Sequence, residues 1–179
     1  MSDPFKIVNT EKADLVQIHE LFAHSIAYQK ANGYPVWENY DRGAIVKDID
    51  DGNQYKAVNA AGIGIVFSVG YSDKIIWREM DRGESIYLHR IVVNPAFKGQ
   101  KLFGLIVDWA LEHIRHRGLK SVRMDTWAAN KNIIEYYKKF GFEVIEHYTT
   151  PDAQELPVHN RNLALTLMQY ESRMESNQS

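Results

Sequence analysis

An apolar run closes on a proline at Tyr87-Leu88-His89-Arg90-Ile91-Val92-Val93-Asn94-Pro95. The next residues, Ala96-Phe97-Lys98-Gly99-Gln100-Lys101-Leu102-Phe103-Gly104, lead into an amphipathic stretch. A strand that feeds a helix through so short a basic, glycine-bearing turn has few ways to fold. The proline ends the strand, and the first amides of the helix have no intrahelical acceptor. The helix dipole adds partial positive charge at the same place. Such a turn is a seat for a phosphate or pyrophosphate, so a phosphorylated ligand is expected.

The rest of the chain narrows the class. At 179 residues, a single domain over 1–171 with a polar tail over 172–179 is expected. A net charge of −2 argues against a general nucleic-acid binder. The absence of cysteine excludes disulfides, thiolate zinc sites and a cysteine nucleophile. No apolar run approaches the roughly 18–20 residues that span a bilayer. Met1-Ser2-Asp3-Pro4 has no basic region before an apolar one, so a cytoplasmic protein with no membrane partner is expected. No metal is expected either. His113 and His116 lie three apart without nearby carboxylates, and the acids of 48–51 lack the donors of a calcium loop.

Periodicity predicts the elements. A strand over 5–9 precedes a helix from Glu11, capped by Thr10, with Leu15, Ile18, Phe22 and Ile26 on one face. Gly33 and Pro35 end it, and a shorter helix covers 41–50. Strands over 54–59 and 63–71 form a hairpin. The polar segment 72–84 carries Trp77 and Met80. A strand over 85–93 and a helix over 102–116 follow, the latter with an apolar stripe of Leu102, Leu105, Ile106, Trp109 and Ala110. Then come a strand over 121–126, a helix over 130–140 and strands over 142–148 and 162–170. This order is that of a mixed α/β sheet.

Two local patterns in this order resemble the GNAT superfamily of acyl-CoA N-acetyltransferases. The family's V-x-P-x-x-R/Q-G-x-G-x-G/A turn aligns with residues 93–103, and its N-x-x-A-x-x-x-Y-x-x-x-G-F helix with Asn130, Ile133, Tyr137, Gly141 and Phe142. The resemblance implies a largely antiparallel sheet with a central splayed parallel strand pair flanked by helices. It also implies acetyl-CoA as donor. Strand groups at Ile91, Val92 and Val93 would pair with the pantetheine arm. Lys98, Gly99, Gln100, Lys101, Leu102, Phe103 and Gly104 would hold the pyrophosphate, and Asn130 the arm. Tyr137 would protonate the leaving thiolate, and an amide at Val92 or Val93 would polarise the carbonyl.

The base stays open between His89, which shares a strand face with Ile91, and Glu84, with Asp125 behind it. Tyr34, Trp37 and Trp127 are candidates for the acceptor pocket. The acceptor is then a primary amine of a small molecule or peptide, reached by direct transfer in a ternary complex, and a homodimer is possible through the C-terminal strand edges. The departures are Lys98 for the family's arginine or glutamine, and Lys101 and Phe103 for its small residues. A lysine fits the first small position if its φ is helical, whereas a large ring at the second crowds the phosphates. These departures support a second reading, a domain of the same fold that binds acyl-CoA or a protein partner without catalysis.

Overall fold

The computed structural model describes residues 3–36 and 40–172. In chain order it contains β1 (Lys6–Asn9), α1 (Leu15–Ala31), α2 (Arg42–Asp50), β2 (Gln54–Asn59), β3 (Gly62–Gly70) and α3 (Lys74–Trp77). There follow β4 (Ser85–Val93), α4 (Leu102–Arg117), β5 (Ser121–Trp127), α5 (Lys131–Lys138), β6 (Glu143–Thr149) and β7 (Ala164–Glu171). The strands form one sheet in the order β1-β2-β3-β4-β5-β7-β6. β4 and β5 are parallel, with Ser85 opposite Ser121 and Tyr87 opposite Arg123. The pairs β1/β2, β2/β3, β5/β7 and β7/β6 are antiparallel. The mixed α/β sheet with a central parallel pair is thus as the sequence implied.

Burial along the strands explains their places. β3 is buried from Ile63 through Val69, which suits an apolar run covered on both faces. β6, at the sheet's edge, alternates exposed and half-buried residues instead.

The chain divides into two compact units. The first comprises the residues up to Gly70 together with Leu88–Trp109, and the second comprises Tyr71–Tyr87 and the residues from Ala110 onward. In the first unit, Ile18 and Phe22 of α1, Ile45 and Ile49 of α2, Val66 of β3 and Val92 of β4 share one core cluster. Burying each such side chain contributes about 1.5–3 kcal/mol, far above the intrinsic propensity of a helix as short as α2. In the second, Ile76 and Trp77 pack with Tyr87, Leu165 and Leu167.

Four local expectations change. Thr10 does not cap a helix: its buried hydroxyl donates to Gln54, 3.0 Å from the side-chain oxygen and 3.2 Å from the carbonyl. A 3-10 turn over Lys12–Asp14 comes first, and the Asp14 carboxylate accepts the Glu11 N–H at 2.7 Å. Leu105 is 37% exposed, so the inner face of α4 runs through Leu102, Phe103, Ile106, Val107 and Ala110. Trp109 does pack, with its ring 4.5 Å from Tyr55 and 5.2 Å from Phe67. The polar segment 72–84 contains α3, because Asp73 caps it by accepting the Ile76 N–H at 3.3 Å. Trp77 is thereby fully buried and belongs to the core.

Candidate functional site

In the first unit, the turn after β4 is fastened at its start. The Asn94 N–H donates to Gly64 O and the Asn94 side-chain amide to Ile63 O, both at 2.8 Å. The Asn94 side-chain oxygen accepts the Ala96 N–H at 3.0 Å and opens a 3-10 turn over Pro95–Phe97. Gly64 lets the base of the turn sit close. A Cβ there would lie 2.6 Å from Leu102 Cδ1 and 2.6 Å from Phe5 Cε1. The Lys98 N–H donates to Pro95 O and the Gln100 N–H to Phe97 O, so each is spent within the turn.

Gly99 has φ +86°, and no described residue comes within 4 Å of a Cβ built on it, so the space beside it is open. Lys101 is also left-handed, at φ 54°, and α4 starts at the next residue. A helical φ at Lys101 was the condition for tolerating a side chain there, and it is not met. The chain turns through Lys101 as the family turns through glycine, at a cost of about 1 kcal/mol for a residue with a Cβ. Phe103 is 3% exposed on the inner face of α4, so its ring does not lie over the open side of the turn. Lys98, Gly99, Gln100 and Lys101 are exposed, and the Lys98 ammonium lies 5.7 Å from the centre of the Tyr28 ring. The turn therefore presents two cations and a left-handed backbone at a helix start, which suits a phosphate.

The strand before the turn is irregular. Arg90, in the middle of β4, has φ 51°. Alternation of side chains therefore breaks at this point, and the assumption that His89 and Ile91 share a face does not hold. His89 is half-buried, and burial followed by the Arg90 charge lowers its pKa to about 4 against the pull of Asp48. Its imidazole is neutral at physiological pH and a weak proton acceptor. Ile91 is half-buried, Val92 buried and Val93 exposed. Tyr34 is half-buried beyond the end of α1, and Trp37 lies outside the described residues.

The second unit gathers ionisable groups that the sequence only partly announced. Asp125 of β5 is half-buried, and burial, with Asp73 adding to it, raises its pKa to about 7. Asp73 is raised to about 6 by burial and by Asp81, against the Ile76 N–H. The two carboxyl groups have oxygens within 4.8 Å of each other. Like charges so close share a first proton readily and lose the second reluctantly. Tyr137 of α5 is half-buried, and burial, Tyr136 and Asp125 all raise its pKa, so the phenol keeps its proton. The sequence signal for Asp73 was its place one residue before a buried apolar turn, the position of a helix cap; its coupling to Asp125 needs the folded chain.

The other candidates are placed as follows. Glu84 is exposed and paired with Lys120, whose hydrogen bond and charge hold its carboxyl below the usual range. Asn130 caps α5 by accepting the Ile133 N–H at 3.2 Å, which leaves its amide NH₂ as the group able to face a ligand. Trp127 is half-buried at the end of β5 against the Trp77–Tyr87 cluster. The His113 Nε2 lies 2.8 Å from the Tyr71 hydroxyl, and the His116 Nδ1 lies 2.9 Å from Glu112 O.

In sequence the chain is similar to acetyltransferases, and in fold to solved members of the same family. The model of the acetyltransferase (GNAT) family matches residues 15–142. An uncharacterised N-acetyltransferase of Methanocaldococcus jannaschii is 28% identical over 144 residues, which are 78% of this chain and 61% of that protein. An uncharacterised N-acetyltransferase of Bacillus subtilis is 32% identical over 71 residues, 40% of this chain and 39% of that protein. The matches thus span less than two thirds of the length of either relative. Among solved structures, a GNAT-family acetyltransferase of Listeria monocytogenes superposes with a TM-score of 0.76 at 20% identity, over 94% of this chain and 95% of that one. A Salmonella typhimurium structure solved with its cofactor acetyl-CoA gives 0.64 at 19% identity, over 93% of both chains. The family match covers most of the chain, and the fold agrees with it: the chain belongs to the GNAT family of acetyltransferases.

Proposed function

We propose that this chain transfers the acetyl group of acetyl-CoA to a primary amine of a small molecule or peptide, by direct transfer in a ternary complex. One observation carries the reading. In the second unit, a carboxyl whose pKa is about 7 occurs together with a phenol held protonated, and the Asp125 charge helps to hold it so. Amine acylation at neutral pH needs one group that takes a proton and another that gives one. The family and the Salmonella structure's cofactor support acetyl-CoA as the donor.

The residues present fit that donor. The left-handed turn at Gly99, open above, together with exposed Lys98 and Lys101, suits a diphosphate, and the buried Phe103 ring does not obstruct it. Acetyl-CoA supplies the activated thioester. An alkyl amine with a pKa of about 10 arrives mostly as ammonium and must lose a proton before it attacks. Asp125, sharing charge with Asp73, takes that proton. We favour it over His89, whose pKa is too low, and over Glu84, whose carboxylate is engaged by Lys120. As the amine nitrogen bonds to the acetyl carbon and the carbon–sulfur bond breaks, Tyr137 gives its proton to the departing sulfur. The phenolate then recovers a proton from solvent or from the protonated carboxyl pair.

A second reading, binding of acyl-CoA or a protein without catalysis, draws on one observation: Lys101 keeps a side chain in a backbone conformation that glycine would hold more easily. Calorimetric titration with acetyl-CoA and desulfo-CoA, followed by a screen of amines for free-thiol release, separates the two. Micromolar binding with release of thiol on at least one amine supports catalysis. Binding with no turnover on any amine class favours the second reading, and no binding at high micromolar donor defeats both as far as coenzyme A is concerned.

A further inference from the structure

The left-handed residue inside β4 is not a glycine but Arg90, and its side chain is tied down. The Arg90 Nη2 lies 2.5 Å from the Asp48 Oδ2 of α2, and the two side chains are 31% and 19% exposed. The Arg90 Nε is buried without a hydrogen-bond partner among the described residues. A strand residue with a Cβ at positive φ persists only where its surroundings over-determine it. Here the surroundings are the ion pair on one side and, on the other, the burial of Val92 in the same cluster as Ile45 and Ile49 of α2. α2 thus holds β4 by two grips, a polar one at Arg90 and an apolar one at Val92.

A break of this kind leaves strand amides out of the regular ladder and re-aims the residues after it. Those residues are Ile91, Val92 and Val93, whose main-chain groups the donor reading assigns to the pantetheine arm. Resting on that reading, we infer that Asp48 is a positioning residue. By pairing with Arg90 it keeps β4 broken at that point and so keeps the amides of 91–93 directed at the donor. Asp48 itself touches no reactant.

The test is a double-mutant cycle read by calorimetry with coenzyme A. Arg90→Gly retains the left-handed backbone without needing the pair, because glycine adopts that φ freely. In the unaltered chain, Asp48→Asn should weaken coenzyme A binding about fivefold or more, while in the Arg90→Gly background the same change should alter it by less than about twofold. Asp48→Glu should recover part of the loss. Amide hydrogen exchange over 89–93 should quicken in Asp48→Asn and not in Asp48→Glu. Equal losses in both backgrounds, or a lower melting temperature with unchanged affinity, would overturn the inference and leave Asp48 a structural residue. If the unaltered chain fails to bind coenzyme A, the donor reading falls and takes this inference with it; binding indifferent to Asp48→Asn sinks the inference alone.

Discussion

The turn after β4 and the acid–base set of the second unit are built from different materials. The turn is made of backbone. Its character lies in the left-handed φ of Gly99 and Lys101, in the Asn94 clamp and in a helix start, all within a dozen residues. The acid–base set is made of side chains from α3's cap, β5 and α5, spread over more than sixty positions, and burial gives it its chemistry. A backbone device should survive most side-chain changes and fail on changes of φ. A burial device should respond to single charges and to pH. The two regions therefore make opposite predictions under mutation.

The largest expected effect tests the second region. Tyr137→Phe removes the proton donor and leaves the ring's packing against Phe142 in place. Turnover should fall by about 10²-fold or more, with the affinity for acetyl-CoA unchanged in a parallel titration. Equal losses in turnover and affinity would instead make Tyr137 a binding or packing residue and erase the contrast between the regions.

Next in size is the pH response. With Asp125 raised from 3.8 to about 7, activity should rise with pH across roughly 6 to 7 as the carboxyl pair loses its second proton. Asp125→Asn should abolish that limb. Asp73→Asn should move it to lower pH, since the like charge that raises Asp125 is gone. Stability runs the other way. In this window the folded chain binds a proton that the unfolded chain does not, so stability falls as pH rises from about 4 to 7. Asp125→Asn lessens that fall, leaving the part that belongs to Asp73, and melting curves at pH 5 and pH 8 should lie closer together than those of the unaltered chain. A limb that persists in both variants would assign the base to a group other than the carboxyl pair.

What the sequence made legible divides along the same line. Elements and turn chemistry are local, so the strand over 85–93, the helix behind it and the Asn130–Tyr137 spacing can be read from periodicity and pattern. Trp77 could not be placed, because its burial depends on α3, a single turn held by the Asp73 cap and by packing rather than by propensity. The break at Arg90 escaped too. Nothing in an apolar strand announces a left-handed arginine, and the ion pair that holds it comes from a residue 42 positions away. Asp73 escaped for a similar reason, since a capping aspartate looks like any other until a second carboxyl is folded beside it.

A smaller effect belongs to the turn. Gly99→Ala adds a Cβ that meets nothing within 4 Å, so only the φ of +86° opposes it. It should cost about 1 kcal/mol of stability and weaken acetyl-CoA binding, with the pH profile unaltered. A shifted pH limb in this variant would show that the regions are coupled more closely than their construction suggests.

The smallest effect is also the most discriminating. Lys101 combines an unfavourable backbone with a cation at the phosphate seat, and Lys101→Gly separates the two. Relief of the left-handed strain should stabilise the chain, offset by the greater freedom of glycine in the unfolded state, for a net gain below about 1 kcal/mol. Loss of the ammonium should weaken acetyl-CoA binding, and more so at low salt than at high salt, because an exposed charge pair is screened. Stability up with affinity down means that the chain keeps a strained lysine for the sake of its charge. Stability and affinity rising together means that the side chain obstructs the seat, which is what a domain drifting away from catalysis would tolerate.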